Sequence, residues 1–154
     1  MATCLSIFVF ISLLAATVVS CNESTAYDVL ESNGLPKGLL PDSVKNYTIP
    51  AKGEGEFNIK LGAQCLVKFG EIDIFFDTSI TGILTYGSFK NISGIDVGKL
   101  FLWLPVEDIT LNSNKTELAI NLELFSLNFA VKEFKTIPIC KSYVSRKNKL
   151  FSSK

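Results

Sequence analysis

Glu71 with Asp73, and Glu107 with Asp108, are the densest acidic pairs of the chain. Two carboxylates held about 5–9 Å apart can run glycoside hydrolysis. Glu71 and Asp73 stand at i and i+2 and so face the same way on a strand. Acidic residues are also ordinary on the polar face of a half-buried strand, and that reading comes first. The chain has no histidine. This removes the commonest general base at neutral pH, the Ser-His-Asp triad and most zinc sites. There is no Gly-x-Ser-x-Gly elbow, Gly-rich phosphate loop, Cys-x-x-Cys pair or EF-hand loop. An oxygen-ligand Ca²⁺ site has as little support as catalysis. No catalytic residue, metal ligand or cofactor is assigned, and an enzyme is the less favoured class.

The cysteines and asparagines carry more. The first twenty residues hold no charged side chain, and Leu5–Ala16 is an apolar core ending near Val18-Val19-Ser20. A secretory signal peptide has such a core of roughly 7–15 residues before a small-residue cut. A spanning helix needs about 20 apolar residues, and Asn22 and Glu23 interrupt the run first. The chain is thus divided into a signal peptide over 1–20, one domain over 21–140 and a basic tail over 141–154. The expected setting is secreted or endomembrane, with an uncleaved anchor as the alternative. Cys65 and Cys140 remain in the domain, and Cys21 sits at the cut. In an oxidising compartment, one Cys65–Cys140 disulfide is the economical reading, and two separately buried thiols are the other. Asn22, Asn46, Asn91 and Asn114 each begin an Asn-x-Ser/Thr sequon, an N-glycosylation pattern that requires exposure.

The 15 basic and 15 acidic residues cancel and all lie after residue 20. A neutral domain is not steered to nucleic acid by its overall field. The tail carries Lys141, Arg146, Lys147, Lys149 and Lys154 without an acid. It is either a solvated terminus or a weak contact with an anionic membrane surface, with Tyr143, Val144, Leu150 and Phe151 as apolar partners.

These residues must be positioned by strands. Thr25-Ala26-Tyr27-Asp28 resembles a capping box and opens a short helix over about Ala26–Asn33, stopped by Gly34 and Pro36. Leu35-Pro36-Lys37-Gly38-Leu39-Leu40-Pro41 is an ordered loop whose leucines need burial. Asp42–Tyr47 is read as one more helical turn. From Glu54 the hydrophobic period is two: Phe57, Ile59 and Leu61; Cys65, Val67 and Phe69; Ile72, Ile74 and Phe76. Gly82 and Gly87 mark bends in Ile80–Phe89. The apolar set changes parity between Leu118–Leu124 and Phe125–Val131, which requires an extra residue or a turn near Leu124-Phe125. About eight short strands follow, predicting a mainly β fold: an antiparallel β-barrel or strongly curled sheet with a short N-terminal helix. Leu100–Val106 is apolar throughout. It is read as a strand covered on both faces, or as one whose second face lines a cavity for an apolar ligand. Pro105 should lie at a strand end or edge.

Tyr27-Asp28-Val29-Leu30-x-x-Asn33-Gly34-Leu35-Pro36-Lys37-Gly38-Leu39-Leu40-Pro41 resembles the opening motif of the plant family called domain of unknown function 538. Gly55-Glu56-Phe57, Cys65, Ile80-Thr81-Gly82, Tyr86-Gly87, Leu100–Val106 and Phe134…Pro138-Ile139-Cys140 match its later landmarks in order. The resemblance implies a small β-barrel-type domain with a helix at its N-terminal end, often behind a signal peptide. It also brings a suggested kinship with tubular lipid-binding domains and a proposed ester hydrolysis of chlorophyll. It supplies no catalytic motif to transfer.

The leading functional expectation is a monomeric protein binding a lipid-like or other apolar small molecule, with Leu39, Leu40, Phe101 and Trp103 lining the site. The alternative is an extracellular or cell-wall interaction protein without a small-molecule site, and the third is a hydrolase.

Overall fold

The computed structural model describes residues 24–49 and 53–141. The expected signal peptide over 1–20, Cys21, the Asn22 sequon and the residues after Lys141 lie outside them. Helix α1 spans Ala26–Ser32. Its capping box is formed: the Asp28 N–H donates to the Thr25 hydroxyl at 3.2 Å and the Thr25 N–H donates to the Asp28 carboxylate at 2.7 Å. The Thr25 N–H and, at 2.8 Å, the Thr25 hydroxyl both donate to the Asp28 carboxylate and hold it below the ordinary aspartate range. Seven residues make no stable helix alone; α1 persists because Ala26, Val29 and Leu30 are buried.

The leucine loop is ordered and buried, as its composition predicts. A single 3-10 turn over Lys37–Leu39 seats Leu39 in the core, and Leu35, Leu40 and Pro41 are buried around it. Gly38 is obligatory here: a Cβ would stand 2.2 Å from the Phe134 carbonyl oxygen and 2.6 Å from that of Thr136. The Tyr27 hydroxyl donates to the Pro41 carbonyl at 2.6 Å and ties the helix to the loop.

The helical turn expected over Asp42–Tyr47 is instead strand β1, Val44–Thr48. Asp42 caps no helix. Its N–H donates to the Pro138 carbonyl, and its carboxylate accepts the Cys140 N–H, both at 3.0 Å. Val44, Tyr47 and Thr48 then extend along the edge of β2 (Gly55–Leu61). Strands β3 (Cys65–Phe69), β4 (Ile72–Thr85), β5 (Ser88–Lys99), β6 (Leu102–Leu111), β7 (Glu117–Leu122) and β8 (Ser126–Ala130) complete one antiparallel sheet. Its order is β1-β2-β4-β5-β6-β7-β8, with β3 on the same side of β4 as β2. The predicted parity switch is the turn between β7 and β8.

The sheet is strongly curled and does not close. Ladder shifts align across it: between Phe76 and Thr81 on β4, between Phe89 and Asp96 on β5, and between Val106 and Asp108 on β6. Gly94, at φ +94°, permits the bend, since a Cβ there would meet the Ser79 carbonyl oxygen at 2.2 Å. The open seam lies between β3 and β8. Phe69 of β3 and Phe129 of β8 meet edge to face at 5.5 Å, and Phe134 stacks on Phe69 at 4.6 Å. The chain after Phe134 forms a strap beside them. It ends in the Cys65–Cys140 disulfide and a Lys141 N–H donated to the Leu66 carbonyl at 3.0 Å.

Candidate interaction surface

Two apolar regions compete as the functional site: the interior and one end of the sheet. The interior holds a void of about 20 Å³ under the seam. Leu39, Phe134 and Pro138 line it from the strap side, and Val67, Ile74 and Val106 from the sheet. That volume matches one water molecule, whereas small-molecule sites run from about 300 Å³ upward. Of the four residues expected to line a ligand site, Leu39 borders this void and Leu40 is packed in the adjoining core. Phe101 and Trp103 are elsewhere.

Leu100 and Phe101 are not strand. They form the two-residue turn joining β5 to β6, which begins at Leu102. Their φ values are +50° and +71°. A two-residue hairpin turn favours such a left-handed pair because it matches strand twist, and Asn-Gly normally supplies it. In residues with a Cβ the conformation costs roughly 1–2 kcal/mol each. Here two large apolar residues adopt it, and their side chains stand in solvent: Leu100 is 84% exposed and Phe101 103%. Leu102 is 51% exposed beside them. The β7–β8 turn, at the same end, presents Leu124 at 69% and Phe125 at 43%.

The expectation that Leu100–Val106 is covered on both faces is corrected. Leu104 and Val106 point into the core; on the outer face Trp103 is half-buried and Pro105 exposed. Trp103 lies across Gly98 of β5, whose missing side chain makes the room: a Cβ would be 2.5 Å from the indole ring. Pro105 sits just beyond the last β6–β7 pair, Val106 with Leu122, so one side of it is edge, as its missing amide requires.

One residue of the acidic pairs, Asp108, has a local duty. The Asp108 carboxylate accepts the N–H of Asn91 at 3.0 Å, fixing the bulge where Asn91 has φ +51°. Asp73 faces Lys68 across β3 and β4, while Glu71 sits in the turn before it. Asn46, Asn91 and Asn114 are all exposed. Asn114 is in the β6–β7 turn at the end opposite Phe101, Asn91 lies toward that same end on β5, and Asn46 is at mid-height on β1.

Sequence reasoning missed Leu102, Leu124 and Phe125 as surface residues. The signal that could have found the tip was length: twelve residues of β5 and ten of β6 need a turn between them.

The family model described as "Protein of unknown function, DUF538" matches residues 26–135. No curated protein and no solved structure matches the chain.

Proposed function

The chain belongs to the DUF538 family, and from that premise we propose that it is an interaction module of a secretory or extracellular compartment. It works through the apolar end of its sheet, not by carrying a ligand inside. The observation that carries this reading is the contrast in apolar surface. The interior pocket under the seam has room for about 20 Å³. At the β5–β6 tip Leu100, Phe101 and Leu102 stand in water as one consecutive run, and Leu124 and Phe125 do so in the β7–β8 turn at the same end of the sheet. Contiguous exposed apolar patches on soluble domains mark contact sites. The charged-free leader, the sequons and the paired cysteines support the compartment.

The test uses the full chain from an oxidising expression host, purified without detergent. An organic extract analysed by mass spectrometry beside a native mass spectrum should return protein with no stoichiometric lipid. A lipid or pigment at one per chain would overturn the reading and restore the carrier.

A further inference from the structure

Resting on the far end as the contact surface, we propose that its partner is a lipid surface. The Leu100-Phe101-Leu102 tip inserts into the interfacial layer of a bilayer, seconded by the Leu124-Phe125 turn. Four observations point there.

The tip is apolar on every side and convex, with Phe101 standing clear of its neighbours. A protein partner's interface normally pairs an apolar core with a polar rim and about one hydrogen bond per 100–200 Å². At the tip itself three consecutive apolar residues offer a protein partner no side-chain hydrogen bond, whereas a fluid medium can surround them.

The residues next to the tip follow the order of depth found at membrane interfaces. Lys99 pairs with Leu102 on the first rung, and Gly98 with Trp103 on the second. Two rungs of about 3.3 Å put Trp103 about 7 Å above the tip, within the roughly 5–10 Å to which interfacial apolar faces sink. An indole at headgroup level and a lysine reaching past its own stem to phosphate are the usual anchors.

Charge then says which surface. Among the described residues, the exposed charges toward this end are Lys68, Lys99 and Lys141 against Glu71 and Glu123, with Asp73 and Asp96 half-buried among them. That set has no positive excess, so insertion does not depend on anionic lipid.

Finally, the described sequons leave this end clear. Asn114 and Asn91 lie toward the opposite end and Asn46 at mid-height.

The test is partition of the full chain onto phosphatidylcholine vesicles, read by cosedimentation and by fluorescence. Trp103 is the chain's one tryptophan, so it reports from the second rung. The expected result is binding with a blue shift of Trp103 that survives about 0.5 M salt, where exposed charges are largely screened. Leu100→Asn with Phe101→Gly should cut partition by about tenfold or more. The same variant relieves the strained turn, so it should unfold at a higher temperature than the parent, which separates lost insertion from lost folding. A folded parent that ignores phosphatidylcholine vesicles overturns the proposal, as does a double variant that partitions undiminished. Binding that needs phosphatidylserine, falls with salt and disappears when the chain is cut after Lys141 also overturns it, and assigns the contact to the basic tail. If vesicle binding fails while the solvent extract is empty, the contact-surface reading stands and a protein partner replaces the bilayer. A stoichiometric lipid in the extract removes the contact-surface reading itself.

Discussion

The β4–β5 and β5–β6 hairpins share strand β5 and treat their turns in opposite ways. At Tyr86-Gly87 the positive φ, +72°, falls on a glycine. The turn is also tied down. The Gly87 N–H donates to the Asn33 carbonyl at 2.7 Å, and Lys115 Nζ donates to the Tyr86 hydroxyl at 2.9 Å. The Tyr86 ring meanwhile closes over Gly34, 3.1 Å from where its Cβ would stand. At Leu100-Phe101 both residues carry positive φ with full side chains, and both face water. One end follows local preference and is locked to the helix. The other departs from it twice, in backbone and in solvation. Departures of that kind concentrate at functional sites, where the rest of the fold holds them in place.

The largest way to break this comparison is at the strap. Changing Cys65 and Cys140 to serine opens a cross-link spanning 75 residues, worth about 4 kcal/mol in the chain-entropy account. The thermal midpoint should fall steeply, and amide exchange should quicken at β3 and residues 135–141 before it does around Gly87. Equal quickening at both ends would show that they do not differ in how they are held.

The turns themselves sharpen it with opposite signs. Leu100→Asn with Phe101→Gly should stabilise the protein by about 1–2 kcal/mol, because both positions then suit the left-handed region. Gly87→Ala should destabilise it by about 1 kcal/mol from backbone strain alone, since the nearest atom to the new Cβ is Leu111 Cβ at 3.8 Å. Denaturant midpoints check both. A loss of stability in the double variant would mean that Leu100 and Phe101 hold the fold together, and the contrast would dissolve.

The smallest effect is expected from Tyr86→Phe, which deletes only the exposed bond to Lys115. It should cost under about 1 kcal/mol. A larger loss in the same unfolding experiment would make that hydroxyl a main support of the helix-capped end.

Much of this architecture can be read along the chain. Alternation placed β2 to β4 because each strand has one buried face, and the capping box placed α1 because Thr25 and Asp28 satisfy each other's groups locally. The disulfide followed from the expected oxidising compartment and the number of cysteines. Strand β1 could not be read, since what makes it a strand is the neighbouring edge of β2 and the strap's claim on Asp42. The tip was hidden for a different reason. An unbroken run of leucine, phenylalanine and tryptophan reads as buried strand, and only the register of β5 against β6 reveals two of those residues as a turn. The open sheet was one of two shapes the pattern allowed; closure is decided by whether β3 and β8 pair, and their contact is made by phenylalanine rings instead.

The strap also sets an order of events. Gly38 near the start of the domain lies against the carbonyls of Phe134 and Thr136, and Leu66 against the amide of Lys141. During synthesis strands β1–β8 emerge before the strap and can pair with their neighbours, yet the seam has no cover until residues 134–141 arrive. Until then the nascent sheet shows an apolar inner face and the bare edge of β3, the features that invite chaperones and misassembly. Completion is therefore late: a chain ending at Phe129 would hold the strands of the sheet but not the strap that covers its seam.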